Sequence, residues 1–202
     1  PYLVDEYLPD LKTGEVKHRQ RLAEHDEGAR ADVTVQSLAK LKPVFHAKGS
    51  VTPGNASQMS DGAAAVLLVS EKILKQFNLV PLARFCSFAV AGVPPEIMGI
   101  GPVAAIPKAL KLAGIAEHQL DWIELNEAFA AQALAVLKDV PLDPSKINPL
   151  GGAIALCHPL GATGAIRTAT LVHGMQRTGG KYGMVSMCIG TGMGAAGIFE
   201  RL

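Results

Sequence analysis

The sequence predicts a layered α/β fold, and three observations support this prediction. Apolar segments typical of strands alternate with segments typical of helices from Pro81 to the C-terminus. Hydrophobic residues make up 49% of the 202 residues, which is enough to build a buried core. The last two predicted strands are joined only by a short glycine turn, which is too short for a crossover and predicts an antiparallel hairpin.

The first 80 residues are the least regular part of the sequence. Residues 1–49 are polar and irregular, and their mixed charges are typical of a solvated surface. Residues 50–80 predict a Gly/Asn/Ser loop, then a buried strand and a helix, with the sequences "AAAVLLVS" and "EKILKQFN".

The regular alternation then runs to the C-terminus. The segment "PVAAIPKALKLAG" predicts a helix that ends at Gly114. Pro107 lacks the N–H that a helix interior uses, which favours a helix start at that residue. A second helix is predicted to open at Asn126, and a third has the sequence "TGAIRTATLVHGMQR". The predicted strands are "ARFCSFAV", "DWIEL", "AIAL", "YGMVSMC" and "AAGIFERL".

Composition excludes several classes of function. The net charge is +1 without a basic stripe, and aromatic residues are only 5% of the chain, so nucleic-acid binding is not expected. The longest apolar run, Gly62–Val69, is too short to span a bilayer. Three cysteines without a C-x-x-C pair indicate neither a disulfide framework nor a zinc site, and favour a reducing, cytoplasmic compartment. The chain starts at Pro1 without a visible signal peptide, so organelle targeting from a segment upstream stays open.

Three chemically capable side chains follow predicted strands, at the edge where open α/β sheets place their ligands. The Asn126 amide either caps a helix or donates to a water or a charged oxygen. His158 lies between Cys157 and Pro159 and is either a base for a thiol or a buried histidine bonded to a carbonyl. Cys188 precedes a glycine turn with accessible N–H groups, and is either part of an oxyanion site or a small buried apolar residue.

Several segments together resemble the thiolases, the acetyl-CoA C-acetyltransferases and 3-ketoacyl-CoA thiolases. The resemblance covers essentially all 202 residues in order. It implies a layered α-β-α fold with a mixed five-stranded sheet covered by helices, the second half of a duplicated architecture. The segments that carry it are "NEAFAAQA", "GGAIALCHPLGATGA", "CIGTGMGAA", "GNASQMSDGAAAVLL" and "AVAGVPPEIMGIGPV".

The resemblance also implies a domain organisation and an activity. Residues 1–49 correspond to the end of a coenzyme A-binding loop domain, 50–80 to the last strand and helix of the N-terminal domain, and 81–202 to the C-terminal domain. The implied reaction is Claisen condensation or thiolysis of 3-ketoacyl-CoA in a homodimer or homotetramer. Acyl-CoA is the substrate, and neither a metal nor a tightly bound cofactor is implied. The family's nucleophilic cysteine falls upstream of Pro1, in the N-terminal half of the same protein, so these residues alone are expected to be inactive.

Catalytic roles are carried over on matching positions. His158 corresponds to the base that activates the nucleophile, and Cys188 to the acid/base at the substrate α-carbon. Asn126 corresponds to the residue that holds an oxyanion-hole water, and the Gly190 N–H to a donor of a second oxyanion hole. We expect the glycine turn to lower the pKa of Cys188. Positions that correspond to contacts of coenzyme A and the acyl tunnel are Ser57, Arg30, Ser37, Leu41, Phe45, Met98, Ala128 and Phe129.

Two cysteines depart from the family's catalytic pattern. Cys157 stands where the family has glycine, and two outcomes are open: with a negative φ the thiol only narrows the pocket, whereas a positive φ adds strain of about 1 kcal/mol or more and displaces His158. The surrounding glycines favour the positive φ, because they indicate close approach of the backbone. Cys86 in "RFCSF" superficially resembles a nucleophile motif, but its place predicts a core residue.

Two other functions remain as alternatives. One is a non-catalytic module of the same fold that binds coenzyme A or forms dimers. The other is a decarboxylating ketosynthase-like enzyme. Ketosynthases usually pair two histidines, or a histidine and an asparagine, with one cysteine. The combination of "NEAFA" and "MCIGTGMG" therefore favours a thiolase, and Asn126 argues against sterol-carrier-type thiolases, which have histidine there.

Overall fold

The structure is a computed structural model that describes residues 1–26 and 28–202 of the chain. These residues form two compact units, Pro1–Ser37 and Leu38–Leu202. Within them the strands are β1 (Tyr2–Pro9), β2 (Val16–Ala23), β3 (Ala83–Gly92), β4 (Leu120–Leu125), β5 (Tyr182–Ile189) and β6 (Met193–Arg201). The α-helices are α1 (Val35–Leu38), α2 (Glu71–Gln76), α3 (Gly101–Ala113), α4 (Ala130–Asp139), α5 (Ala153–Leu156) and α6 (Thr163–Thr178). None of the helices in these described ranges is both long and apolar enough to cross a membrane.

The first unit contains an antiparallel hairpin, which corrects the expectation of an irregular segment. Strands β1 and β2 pair along their whole length, from Tyr2 opposite Ala23 to Pro9 opposite Val16. Glu6 accepts hydrogen bonds from two arginines on β2, so opposite charges fix the register. Most of the hairpin's side chains are exposed, and the sequence therefore lacks the apolar/polar alternation that identifies a strand with one buried face.

The second unit is built on a mixed sheet with the strand order β3-β6-β5-β4. Strands β5 and β6 form the predicted antiparallel hairpin, and β4 runs parallel to β5. Four of the five predicted strands are present in this sheet of the described chain. Beside β4, where the fifth strand would pair, there is one isolated parallel bridge between Ile123 and Ile147. A 3-10 turn at Pro144–Lys146 precedes this bridge, and Asn148 after it has φ +46°, so the backbone leaves the extended conformation on both sides.

Helices cover both faces of this sheet and give the predicted α-β-α layers. On one face Ile123, Met184 and Ile198 pack with Ile106 and Ala109 of α3. On the other face a smaller cluster joins the sheet to α6, through Trp122, Val185, Leu171 and Met175. Consecutive residues of β4 thus point to opposite faces, because side chains alternate along a strand.

Three expectations about single elements are wrong. Helix α3 does not start at Pro107 but at Gly101, and Pro107 lies at an exposed position inside it. The segment "AIAL" is one helical turn, α5, because four apolar residues cannot distinguish a strand from a helix by periodicity. The segment "AAAVLLVS" is not a strand and Leu67 is 82% exposed, since no strand of the described chain pairs with it. The predicted α3 end is confirmed, with Gly114 at φ +69°.

The start of α3 lies directly against β6, and two glycines make this contact possible. A Cβ on Gly194 would overlap the carbonyl group of Gly101, whereas a Cβ on Gly197 of the same strand would find its nearest neighbour, a ring carbon of Phe88, at 3.5 Å. We therefore expect Gly194→Ala to lower the free energy of unfolding by about 1–3 kcal/mol or more, since overpacked cores must shift their backbone. Gly197→Ala is the matched control. Equal urea midpoints for the two variants would contradict this packing.

Candidate active site

Residues 55–59 lie between the turn after Asn126 and the loop that contains His158, and their backbone pairs with both. The Ser57 N–H donates to the Ala128 carbonyl at 2.9 Å, and Ala56 next to it forms an antiparallel bridge with Phe129. Gln58, the residue after Ser57, accepts a hydrogen bond at its carbonyl from the His158 N–H at 3.2 Å. This segment therefore brings together Ser57, Ala128, Phe129 and His158, four of the residues that the sequence predicts to belong to a site.

Asn126 follows β4 and is fully buried. Its N–H donates to the Ser186 carbonyl on β5 at 2.9 Å, which fixes it two residues from Cys188 along the neighbouring strand. Neither the oxygen nor the nitrogen of its side-chain amide has a partner among the described residues. The capping interpretation is wrong, because the N-cap of α4 is Phe129. A buried amide without a partner costs about 1–3 kcal/mol, so the site is suited to a ligand or water that satisfies it.

His158 is half-buried and lines a cavity of about 310 Å³ together with residues 59–62 and 159–161. Its Nδ1 lies 2.6 Å from the Thr163 Oγ1, so the ring's partner is a hydroxyl rather than a backbone carbonyl. Burial, and secondarily the positive charge of Arg167, lower the pKa of His158 below its ordinary value. The imidazole is therefore neutral near pH 7 and able to accept a proton.

Cys188 lies near the end of β5 opposite Gly194, and its side chain is buried. Burial raises the pKa of the Cys188 thiol, and a backbone hydrogen bond opposes this effect only in part. The expectation of a lowered pKa is therefore wrong for the described chain. Gly190 in the following turn is exposed and has open space around its Cα, which leaves room for a ligand to approach its backbone.

Cys157 has φ +73° and ψ 171°, which confirms the predicted positive φ. This combination lies in a region of backbone conformation that is essentially restricted to glycine, and non-glycine residues there are strained by about 1–3 kcal/mol. The strained peptide unit is directly joined to His158, so its conformation bears on the position of the imidazole.

Glu127 connects the turn of Asn126 to the loop that leads to His158, a role that the sequence analysis does not identify. Its carboxylate accepts hydrogen bonds from the Asn148 side chain at 3.0 Å and from the Ile154 N–H at 3.3 Å. A Cβ on Gly152 would overlap this carboxylate. The pair of glycines before "AIAL" was the available signal, because close approach of the backbone to a side chain calls for glycine.

A buried ion pair lies beneath the same loop. The Arg167 Nη1 is 3.0 Å from the Glu124 Oε2 and 3.1 Å from the Gly151 carbonyl oxygen. The other oxygen of Glu124 accepts a hydrogen bond from the Trp122 indole at 2.7 Å. Both charged side chains are almost completely buried, so α6, β4 and the loop at Gly151 are fastened to one another through this cluster.

The residues predicted to contact coenzyme A divide between the two units. The Phe45 ring packs edge-to-face on Phe129 with 5.5 Å between centroids, and Leu41 lies against Gly54, three residues before Ser57. Met98 is half-buried in a 3-10 turn, Pro95–Ile100. Arg30 and Ser37 belong to the first unit, where Arg30 pairs with Asp32 and the Ser37 hydroxyl donates to the Thr34 carbonyl, and the other six belong to the second unit. In the described part of the chain no group of three or more His, Cys, Asp or Glu could hold a metal ion.

Cys86 packs against the core as a partly buried residue, as predicted. It lies at an irregularity in the pairing of β3 with β6, and its thiol contacts the Arg84 carbonyl. Burial raises the pKa of the Cys86 thiol, with a smaller contribution from Glu200. The raised pKa is shared with Cys188, so position separates the two cysteines: Cys86 lies opposite the Ile198–Phe199 part of β6, whereas Cys188 lies opposite Gly194 near the other end of that strand.

Comparison with known proteins gives consistent matches along the chain. The family profile of the thiolase N-terminal domain matches residues 5–72, and that of the thiolase C-terminal domain matches residues 79–201. A 3-ketoacyl-CoA thiolase of Bacillus subtilis is 53% identical over 182 residues, which is 90% of this chain and 46% of that protein. The human peroxisomal 3-ketoacyl-CoA thiolase is 54% identical over 87% of this chain and 42% of its own length.

Solved structures agree with the sequence comparison. The human mitochondrial 3-ketoacyl-CoA thiolase in complex with CoA superposes with a TM-score of 0.82 at 50% identity, over 89% of this chain and 46% of that one. The dimeric peroxisomal thiolase of Saccharomyces cerevisiae gives a TM-score of 0.80 at 48% identity, over 98% and 48%. This chain thus spans somewhat less than half the length of these relatives. By its family profiles, its sequence relatives and its fold, the chain belongs to the thiolase family.

Proposed function

We propose that this chain supplies the acid–base half of the active site of an acyl-CoA C-acyltransferase, a thiolase that makes or cleaves 3-ketoacyl-CoA. One observation carries the proposal. The turn of Asn126, with its unpartnered amide, bonds to the strand of Cys188, and the backbone of His158, whose imidazole is neutral, is linked through residues 55–59 to the same turn. An amide donor, a base and a thiol at one edge of a sheet suit acyl transfer combined with carbanion chemistry.

Each group has a distinct role in the proposed reaction. His158 takes the proton of the nucleophilic cysteine, which is a fourth group and none of the three cysteines in this chain. In condensation the Cys188 thiol first gives its proton to the CoA thiolate that leaves when the acyl-enzyme forms. The Cys188 thiolate then removes the α-proton of the second acyl-CoA, and the carbanion attacks the acyl carbon of the enzyme thioester. A C–C bond forms, the C–S bond breaks, and the released thiolate of the nucleophile takes its proton back from His158. Asn126, through a water, and the Gly190 N–H stabilise the oxyanions, an effect of a few kcal/mol per donor. Because its pKa is raised, Cys188 rests as the thiol, the form that returns a proton to the carbanion in thiolysis.

Acyl-CoA is the proposed substrate, without a tightly bound cofactor. The structure of the human mitochondrial relative with CoA supports this choice. We assign residues 1–49 to a coenzyme A-binding loop domain, 50–80 to the end of the N-terminal domain and 81–202 to the C-terminal domain. Pro1–Ser37 forms a unit of its own, which supports the first of these. The proposed contacts to coenzyme A and the acyl tunnel are Ser57, Arg30, Ser37, Leu41, Phe45, Met98, Ala128 and Phe129.

The proposed assembly is a homodimer that includes the N-terminal half of the same protein, with a homotetramer as the alternative. The dimeric yeast relative supports the dimer. The proposed compartment is the cytoplasm, which the three free cysteines favour, and the peroxisome of several relatives is the competing assignment.

A chimaera tests the function directly. In it, residues 1–202 replace the matching segment of the Bacillus subtilis relative. We expect Cys188→Ser to abolish condensation and thiolysis, because the α-carbon proton has no acceptor or donor, while exchange of labelled CoA into acetyl-CoA continues. Cys86→Ser, which alters a cysteine packed on the core, is the matched control and should retain both reactions. Loss of the CoA exchange as well, in a folded Cys188→Ser variant, would contradict the assigned role.

The competing interpretation, a non-catalytic coenzyme A-binding module, makes a different forecast for the same chimaera. It predicts a folded protein that binds CoA but forms no acyl-enzyme. The isolated 202-residue chain adds an independent check, because without the nucleophile it should gain no acetyl group from acetyl-CoA by mass spectrometry. A stable acetyl adduct on Cys86, Cys157 or Cys188 would overturn the proposed division of roles.

A further inference from the structure

We propose that Thr163 is a positioning residue that fixes the tautomer of His158, by accepting the Nδ1–H so that Nε2 keeps its lone pair. Thr163 is the first residue of α6 and is 1% exposed. Its Oγ1 lies 2.6 Å from the His158 Nδ1 and donates a hydrogen bond to the Pro159 carbonyl at 2.9 Å. The hydroxyl is thus shared between the imidazole and the backbone of the residue that follows it.

The direction of the short bond follows from the number of protons. A threonine hydroxyl has a single proton, and a carbonyl oxygen only accepts. Because the Thr163 hydroxyl proton is directed at the Pro159 carbonyl, the hydrogen bond between Thr163 and His158 must use a proton of the imidazole. A neutral imidazole carries one N–H, so Nδ1–H leaves Nε2 as an acceptor on the opposite edge of the ring, which is the nitrogen left for the cavity that His158 lines.

The competing arrangement has the hydroxyl rotated toward Nδ1. The Pro159 carbonyl also accepts the N–H groups of Ala162 at 2.8 Å and Thr163 at 2.9 Å, so it would remain bonded. His158 would then carry its proton on Nε2 and could not accept one there. The two arrangements therefore differ in a measurable property, the tautomer of one histidine.

The inference rests on the proposed role of His158 as a base, but its test needs no activity. We would record two-bond ¹H–¹⁵N correlation spectra of the 15N-labelled 202-residue chain at pH 8, where the ring is neutral. The signal of His158 is assigned by its loss in His158→Gln. The expected result is the Nδ1–H tautomer in the unmodified chain and in Thr163→Ser, and a shift toward Nε2–H in Thr163→Val.

The unmodified chain decides the question even if the valine variant fails to fold. An Nε2–H tautomer there, or an unchanged Nδ1–H tautomer in a folded Thr163→Val variant, would overturn the proposal. A purely structural role of Thr163 would change the stability of the valine variant without changing the tautomer. An inactive chimaera together with the Nδ1–H tautomer would refute the proposed function and leave this inference intact.

Discussion

Replacing Arg167 by methionine is expected to lower the free energy of unfolding of this chain by about 3–5 kcal/mol at pH 7, because removal of one partner leaves a buried charge without compensation. Glu124 is fully buried, and Arg167 is the cation that the structure places against it, at 3.0 Å. The hydrogen bond from Trp122 would remain. Methionine retains an unbranched side chain of comparable length, so the loss of packing is limited. The loop at Gly151 also loses a donor, which should increase its exchange of amide hydrogens.

The effect should depend on pH with a defined sign. Burial raises the pKa of Glu124 above its ordinary value, against the opposing effects of Trp122 and Arg167. Without Arg167 the pKa rises further. A carboxyl group with a raised pKa binds its proton more tightly in the folded state. The variant is therefore least affected near the unfolded pKa of about 4.3, and its loss of stability grows as the pH rises through the folded pKa.

Urea unfolding at pH 5 and pH 8 measures this difference. The double variant Arg167→Met/Glu124→Gln is the matched control, since glutamine keeps an acceptor for the Trp122 indole and carries no charge. It should recover a large part of the stability lost in Arg167→Met, and its loss relative to the unmodified chain should be nearly independent of pH. A loss of equal size at both pH values, with no recovery in the double variant, would show that the charge of Glu124 is not the cause.

The sequence predicts those parts of the fold whose signals are local. Gly114 ends α3 as predicted, because a glycine at positive φ is a local stop signal, and the β5–β6 hairpin follows from its short turn. The single turn at Ala153–Leu156 is the opposite case, since four apolar residues fit either a helix or a strand. Residues 63–70 have the composition of a strand, but a strand forms only where another strand pairs with it, and this depends on neighbours that the segment itself does not specify.

The same distinction applies to the site. Asn126, His158 and Cys188 stand out because each reactive side chain follows an apolar segment or precedes a glycine turn. The residues that hold these side chains in place have no such signal in the sequence. Arg167 and Glu124 are 43 positions apart, and each alone is indistinguishable from a surface charge in the sequence. Thr163 is equally hard to identify from the sequence, because a threonine at the start of a helix is common. Only its 2.6 Å contact with the imidazole indicates a role.

Cys157→Gly is expected to stabilise this chain and to accelerate the chimaera. At φ +73° and ψ 171° a non-glycine residue is strained by about 1–3 kcal/mol. Glycine releases this strain, although its greater freedom in the unfolded state offsets about 0.5–1 kcal/mol of the gain. The net stabilisation should be about 1 kcal/mol. His158 is the next residue, so relaxing the backbone at position 157 should also restore the position of the base. A displacement of about 1 Å in a catalytic group costs on the order of a hundredfold in rate, which is why thiolysis should become faster.

Cys157→Ala separates the two possible sources of this effect. Alanine removes the thiol but keeps the Cβ, so it should retain most of the backbone strain and remain close to the unmodified chain in urea midpoint. If the sulfur atom itself obstructs the cavity, alanine and glycine should instead accelerate thiolysis equally. The urea midpoint of the 202-residue chain and the thiolysis rate of the chimaera are measured side by side for both variants. Unchanged or lower values of both quantities in Cys157→Gly would mean that the chain accommodates cysteine at this position without displacing His158.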